Sequence, residues 1–162
     1  MTSTETLIDQ TLGLRQLIVK LLKSIPLEQA DNIPPTWHNN ARWHAGHLVV
    51  TPAMLTHGIL KEPLGVPEEF RTWFAKGSSP AGWGNDSVPD YHDLCDDLLP
   101  ASGRLFEAMR SRMDDAFMEP YTTSTGVVLH TPAQALNFSL AHDGIHLGML
   151  MALKRGLDAM HR

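Results

Sequence analysis

"TPAQALNFSLAHDGIHLGMLMALKRG", residues 131–156, decides how the rest of the chain reads. It opens on a helix start signal, with Thr131 as cap, Pro132 at the first position and Gln134 placed to close a capping box. Gly156 is the expected end. Between them Ala135, Phe138, Ser139, His142, Ile145, His146, Met149, Leu150 and Leu153 recur on helical spacing. That stripe is apolar apart from one hydroxyl and two imidazoles. His142 and His146 are four apart, so on a helix they share a face about one turn from each other. Buried polar groups need partners, and a single divalent ion satisfies both rings at once.

Working outward, "ARWHAGHLVV" at 41–50 supplies His47, the natural third ligand, from a second apolar stripe far away in sequence. Its helix is expected from about 41 to 60, capped by Asn40, with Trp43, His47, Val50 and Met54 on one side. Pro52 removes the hydrogen bond to the Leu48 carbonyl, which predicts a kink one turn past His47. A first helix is expected over about 5–24, with Leu7, Leu14, Leu17, Ile18, Leu21 and Ile25 on its apolar side and Pro26 stopping it. A third starts near 87–90 and runs to about 113 on Leu94, Leu98, Leu105, Phe106, Met109 and Met113, with a kink expected at Pro100. No stretch reads as a strand. Residues 61–88 are rich in glycine and proline, with "PEEFRTWFAK" a short helix inside them. A connection that long can travel from one end of a bundle to the other. The expected fold is all-α, a four-helix bundle with a long crossover between the second and third helices, forming one domain over 1–162.

Composition narrows the function classes. A chain of 162 residues buries enough surface to fold without a disulfide or metal. Its net charge of −5, with no Lys/Arg block, argues against a nucleic-acid surface. No apolar run approaches the roughly 20 residues of a membrane span, and the start lacks a signal-peptide pattern. The lone Cys95 excludes an internal disulfide and permits a reducing cytoplasm. The expected partner is a small molecule, with no nucleic acid and no membrane. A homodimer is a common outcome for such a chain.

Three protein ligands plus an open position is the pattern of catalytic zinc. The bland alternative is a pair of core histidines satisfied by backbone or water. Two other metal chemistries fit poorly. Zinc peptidases need a glutamate beside the first histidine, where this chain has Asp143 followed by Gly144. Di-iron bundles need inward glutamates that neither histidine-bearing helix carries.

Among the other residues, His44 lies three before His47, about 60° round the helix. It reads first as a partly exposed, locally bonded ring, with a fourth ligand or pocket wall as the alternative. Asp143 reads equally as a carboxylate orienting an imidazole or as a flank residue. Trp43, with Trp37, Trp73 and Trp83, reads as core and pocket lining. Cys95 reads as a buried, inert thiol. His38, His57, His92, His130 and His161 are expected at the solvated surface.

At "WHAGHL" around His47 and "HDGIHLG" at 142–148 the chain resembles the DinB/YfiT-like superfamily of metal-binding four-helix bundle proteins. The resemblance spans nearly the whole chain. It implies one divalent ion, zinc or nickel, on His47, His142 and His146, and a crossover matching 61–88. Similar proteins include S-transferases and isomerases that depend on a low-molecular-weight thiol. Where many relatives follow the last histidine with Gly-Gln, this chain has Gly148-Met149.

The leading expectation is therefore a metal-dependent enzyme, a thiol S-transferase first and a hydrolase second. The alternative is a metal- or ligand-binding stress-response module without turnover. No catalytic acid or base is assigned by the sequence.

Overall fold

The structure, a computed structural model, describes residues 3–84 and 87–160. Four long helices carry the fold: α1 (Ser3–Lys23), α2 (Ala41–Ala53), α4 (Tyr91–Met109) and α5 (Pro132–Met160). A short helix, α3 (Glu69–Phe74), lies inside the long crossover. The architecture is the expected all-α bundle. His161 lies outside the described residues.

α1 packs against α4 and α5, and α2 packs against the same two helices. Helices consecutive in the chain, α1 with α2 and α4 with α5, therefore stand diagonally. The connections from α1 to α2 and from α4 to α5 must therefore pass around a neighbouring helix. It also sets α2 beside α5, the adjacency that a shared site on both helices requires.

The starts of the helices follow their local chemistry. The Asn40 side chain accepts a hydrogen bond from the Trp43 N–H at 2.8 Å, closing the first turn of α2. At α5 the Thr131 hydroxyl accepts from the Gln134 N–H, and the Gln134 side chain reaches back to the N–H of His130. α5 passes through Gly156 rather than ending there. A Cβ at that position would stand 3.2 Å from the Pro34 ring, so this glycine serves close packing and not a helix stop.

Around Pro52 the α-helix runs on to Ala53 and then widens into a π-helical turn at Met54–Gly58. The missing proline N–H is thus absorbed by a change of helix type about two turns after His47. α4 continues through Pro100 as one helix.

Two expected stripes are rotated. On α1 the buried residues are Ile8, Thr11, Arg15, Ile18 and Leu22, while Leu17 is 51% exposed. On α5 they include Ser139, Asp143, His146, Leu150, Leu153 and Leu157, while Ile145 is 62% exposed. The cause is a buried ion pair that sequence periodicity counts as polar. Arg15 Nε and Nη2 donate to the two Asp143 carboxylate oxygens at 2.7 and 3.1 Å, and Arg15 Nη1 donates to Ser102 Oγ at 2.7 Å. Ser102 in turn donates to the Leu98 carbonyl. This network ties α1, α4 and α5 together at the centre of the bundle. The apolar side of α4 is buried as expected.

One element was not expected. Tyr121–Thr122 (β1) and Val128–Leu129 (β2) pair antiparallel, with Tyr121 opposite Leu129. Gly126 takes a positive φ of 84° in the turn between them, which suits a residue without Cβ. Among the described residues no helix is long and apolar enough to cross a membrane.

Candidate metal centre

His47 from α2 meets His142 and His146 from α5. The Nε2 atom of His142 lies 3.1 Å from Nε2 of His47 and 3.1 Å from Nε2 of His146. One nitrogen from each ring falls within 4.8 Å of the other two, the only such metal-capable group among the described residues. Two nitrogens bound to a tetrahedral zinc at about 2.0–2.1 Å stand roughly 3.3 Å apart, so this spacing suits a common ion.

Hydrogen positions sharpen the point. Nδ1 of His47 lies 2.6 Å from the Phe74 carbonyl, which can only accept, so Nδ1 carries the proton and donates. Burial holds this imidazole down to about 4, with the Phe74 carbonyl opposing the shift. The ring is therefore neutral near pH 7, and its Nε2 presents a lone pair to His142. Nε2 of His142 can donate one proton to one of its two neighbours, not to both. At most one of the two 3.1 Å approaches is then a hydrogen bond, and the other leaves two ring nitrogens facing each other without one. A cation accepts all three, and three imidazoles without a carboxylate form a donor set suited to zinc or nickel.

The placement of His47 depends on Gly46. The Phe74 ring lies where a Cβ of residue 46 would stand, so only glycine lets the end of α3 settle on α2. That contact brings the Phe74 carbonyl to His47. Trp43 stacks on the His47 ring with centroids 4.4 Å apart and planes 15° from parallel, while its Nε1–H donates to Ser78. Trp43 is thus core and site wall together. The Thr51 hydroxyl lies 3.2 Å from His47 Nε2.

His44 departs from its expected place at a partly exposed, locally bonded position. It is fully buried, and its Nδ1 lies 2.9 Å from Nδ1 of His146, 102 residues away. Only one of these nitrogens carries the shared proton. If His146 donates, its Nε2 is left as a lone pair aimed at the other two ligands. Burial is the main reason that both rings stay neutral, pushing His44 down to about 3 and His146 to about 2. Nε2 of His44 and Nδ1 of His142 have no hydrogen-bond partner among the described residues.

Asp143 is fully buried, held by Arg15, with its Oδ1 3.9 Å from His142 Nδ1. That separation is too long for a hydrogen bond. Cys95 is buried, as expected, and burial pushes its thiol up to about 11. His38, His92 and His130 are exposed, as expected, whereas His57 is half-buried with its Nδ1 3.0 Å from the Pro63 carbonyl.

A cavity of about 370 Å³ opens beside the imidazoles and is lined by His47 and His142. Thr51, Met54, Leu55 and Ile59 from α2 and the π turn form one wall, and Phe138 and Ile145 from α5 form the other. Lys76 and the hairpin turn at 123–125 complete it. Sequence periodicity gives no sign of this last side. Arg15 did leave a signal, a cation on the Ile8, Thr11, Ile18, Leu22 stripe that demands a buried anion.

A family model described as the DinB superfamily matches residues 10–150. No curated protein matches the chain.

Proposed function

The chain belongs to the DinB superfamily, and from that premise we propose that it is a metal-dependent enzyme holding one divalent ion, zinc or nickel, on His47, His142 and His146. The observation that carries this reading is the convergence of three Nε2 atoms at 3.1 Å steps, of which at most one is a hydrogen bond. A bound ion would supply Lewis acidity, lowering the pKa of a thiol or water that reaches it.

The chain's own residues do the rest. The Phe74 carbonyl fixes the His47 tautomer, His44 engages Nδ1 of His146, and Trp43 holds the His47 ring in plane. The partly buried His142 lines the cavity, where a small substrate can approach. The lining contains no aspartate, glutamate or cysteine to act as general base or nucleophile. Chemistry that needs only an acidified nucleophile fits such a lining better than chemistry that needs a base. Transfer to or from a low-molecular-weight thiol is therefore the leading reaction, with hydrolysis second. The same bare lining favours the second reading, a metal- or ligand-binding stress-response module without turnover. We place the protein in the cytoplasm, where its single buried thiol stays reduced.

Screening low-molecular-weight thiols against electrophilic substrates separates the two readings. The enzyme reading expects turnover above the solution background that disappears with chelation and in His142→Ala. Turnover that is unaffected by both treatments contradicts it.

A further inference from the structure

Lys76 stands at the mouth of the cavity, on the segment that follows α3, and it is exposed. Among the described residues no carboxylate lies within ion-pair distance of it, unlike Arg71 on α3, which pairs with Glu68 at 3.2 Å. In a chain with 18 acidic and 13 basic side chains, Lys76 is the one lysine or arginine among the residues that line this cavity. No acidic residue lines the cavity to neutralise it. An ammonium placed this way raises the local concentration of anions.

The remaining surface limits what such an anion can look like. Leu55, Ile59, Phe138 and Ile145 present apolar walls on both sides, which disfavour a ligand charged along its whole length. Hydroxyls of Thr51, Ser124 and Thr125 offer neutral donors and acceptors. A volume of about 370 Å³ admits a small molecule. We propose that the cavity takes an amphipathic small-molecule anion, an apolar body bearing one negatively charged group, and that Lys76 is the residue that selects the charge. This rests on the reading of the cavity as the substrate site, and it adds the chemical class of what enters.

The test uses two dyes that share an apolar body and differ in charge. 8-Anilinonaphthalene-1-sulfonate carries one sulfonate, and N-phenyl-1-naphthylamine carries none. Each is titrated into the purified protein by fluorescence, before and after chelation, with metal content measured in parallel. The proposal expects one sulfonate dye per chain in both states. Lys76→Met weakens that dye about fivefold, the order of an exposed charge pair, while Lys76→Arg retains it. The neutral dye changes less than twofold with either variant. Phe138→Ala weakens both dyes, which locates them in this cavity. Sulfonate binding that is absent, unchanged in Lys76→Met, or lowered in parallel with the neutral dye overturns the proposal, as does indifference of both dyes to Phe138→Ala. Protein that carries no metal yet shows the Lys76-dependent difference would count against the metal reading alone. Protein with one ion per chain and no such difference would count against the present one alone.

Discussion

His146 and His47 show how a neighbour decides what an imidazole can do. Nδ1 of each ring is engaged, by His44 in one case and by the Phe74 carbonyl in the other, and a ring that donates there offers a lone pair at Nε2. Groups that orient a metal-binding histidine typically matter by 10–100-fold in affinity. His44→Leu stays close to the volume and removes the acceptor, so it should weaken metal binding by roughly that factor. His44→Gln, which can still accept from the His146 N–H, should recover part of the loss. Competition with a chromophoric chelator measures both. Cys95 makes the opposite case, a group that burial switches off. With its thiol pushed up to about 11, only about 0.1% is thiolate at pH 8, against roughly a quarter for an ordinary thiol. Iodoacetamide at pH 8 should therefore label the folded protein at least a hundredfold more slowly than the protein in denaturant. Comparable rates would show that Cys95 is accessible and ionised.

Helices were legible in this chain, and the faces they bury were legible only in part. The caps at Asn40 and Thr131 and the short α3 inside the crossover follow from local chemistry that needs no tertiary context. The rotation of α1 and α5 needs the ion pair between Arg15 and Asp143, whose partners are 128 residues apart. Read separately, each looks like a solvated charge. Read together, 8-11-15-18-22 on α1 and 139-143-146-150-153-157 on α5 are unbroken helical faces. The hairpin escaped because two-residue strands are too short to show alternation, and Val127 and Val128 are half-exposed. His44 escaped because its partner lies on the other helix. Gly46 illustrates an element whose packing sets the site. Gly46→Ala places a Cβ inside the Phe74 ring position, so α3 must move, taking the Phe74 carbonyl away from His47. Overpacking of this kind costs about 1–3 kcal/mol. Denaturant unfolding should show that loss, and a zinc titration of the same variant should show weakened binding. A variant equally stable with unchanged affinity would show that α3 does not position His47.

Across the bundle, the Arg15–Asp143–Ser102 network joins three helices directly behind the histidines. Removing one member of a buried ion pair strands the other charge and costs about 3–5 kcal/mol, whereas replacing both with apolar groups is often close to neutral. Arg15→Met alone should therefore destabilise strongly, and Arg15→Met combined with Asp143→Leu should recover much of that loss. If the two changes add, the pair is not coupled as the geometry requires. The diagonal order of the helices places α2 against α5, and through that contact His47 reaches His142 and His146. Elemental analysis of protein purified without a nickel column, after incubation with excess zinc and dialysis, tests whether those three rings form a metal site. The wild type should retain about one ion per chain, and His146→Ala, folded by circular dichroism, should retain almost none. A metal-free wild type, or equal metal in both proteins, would contradict the account.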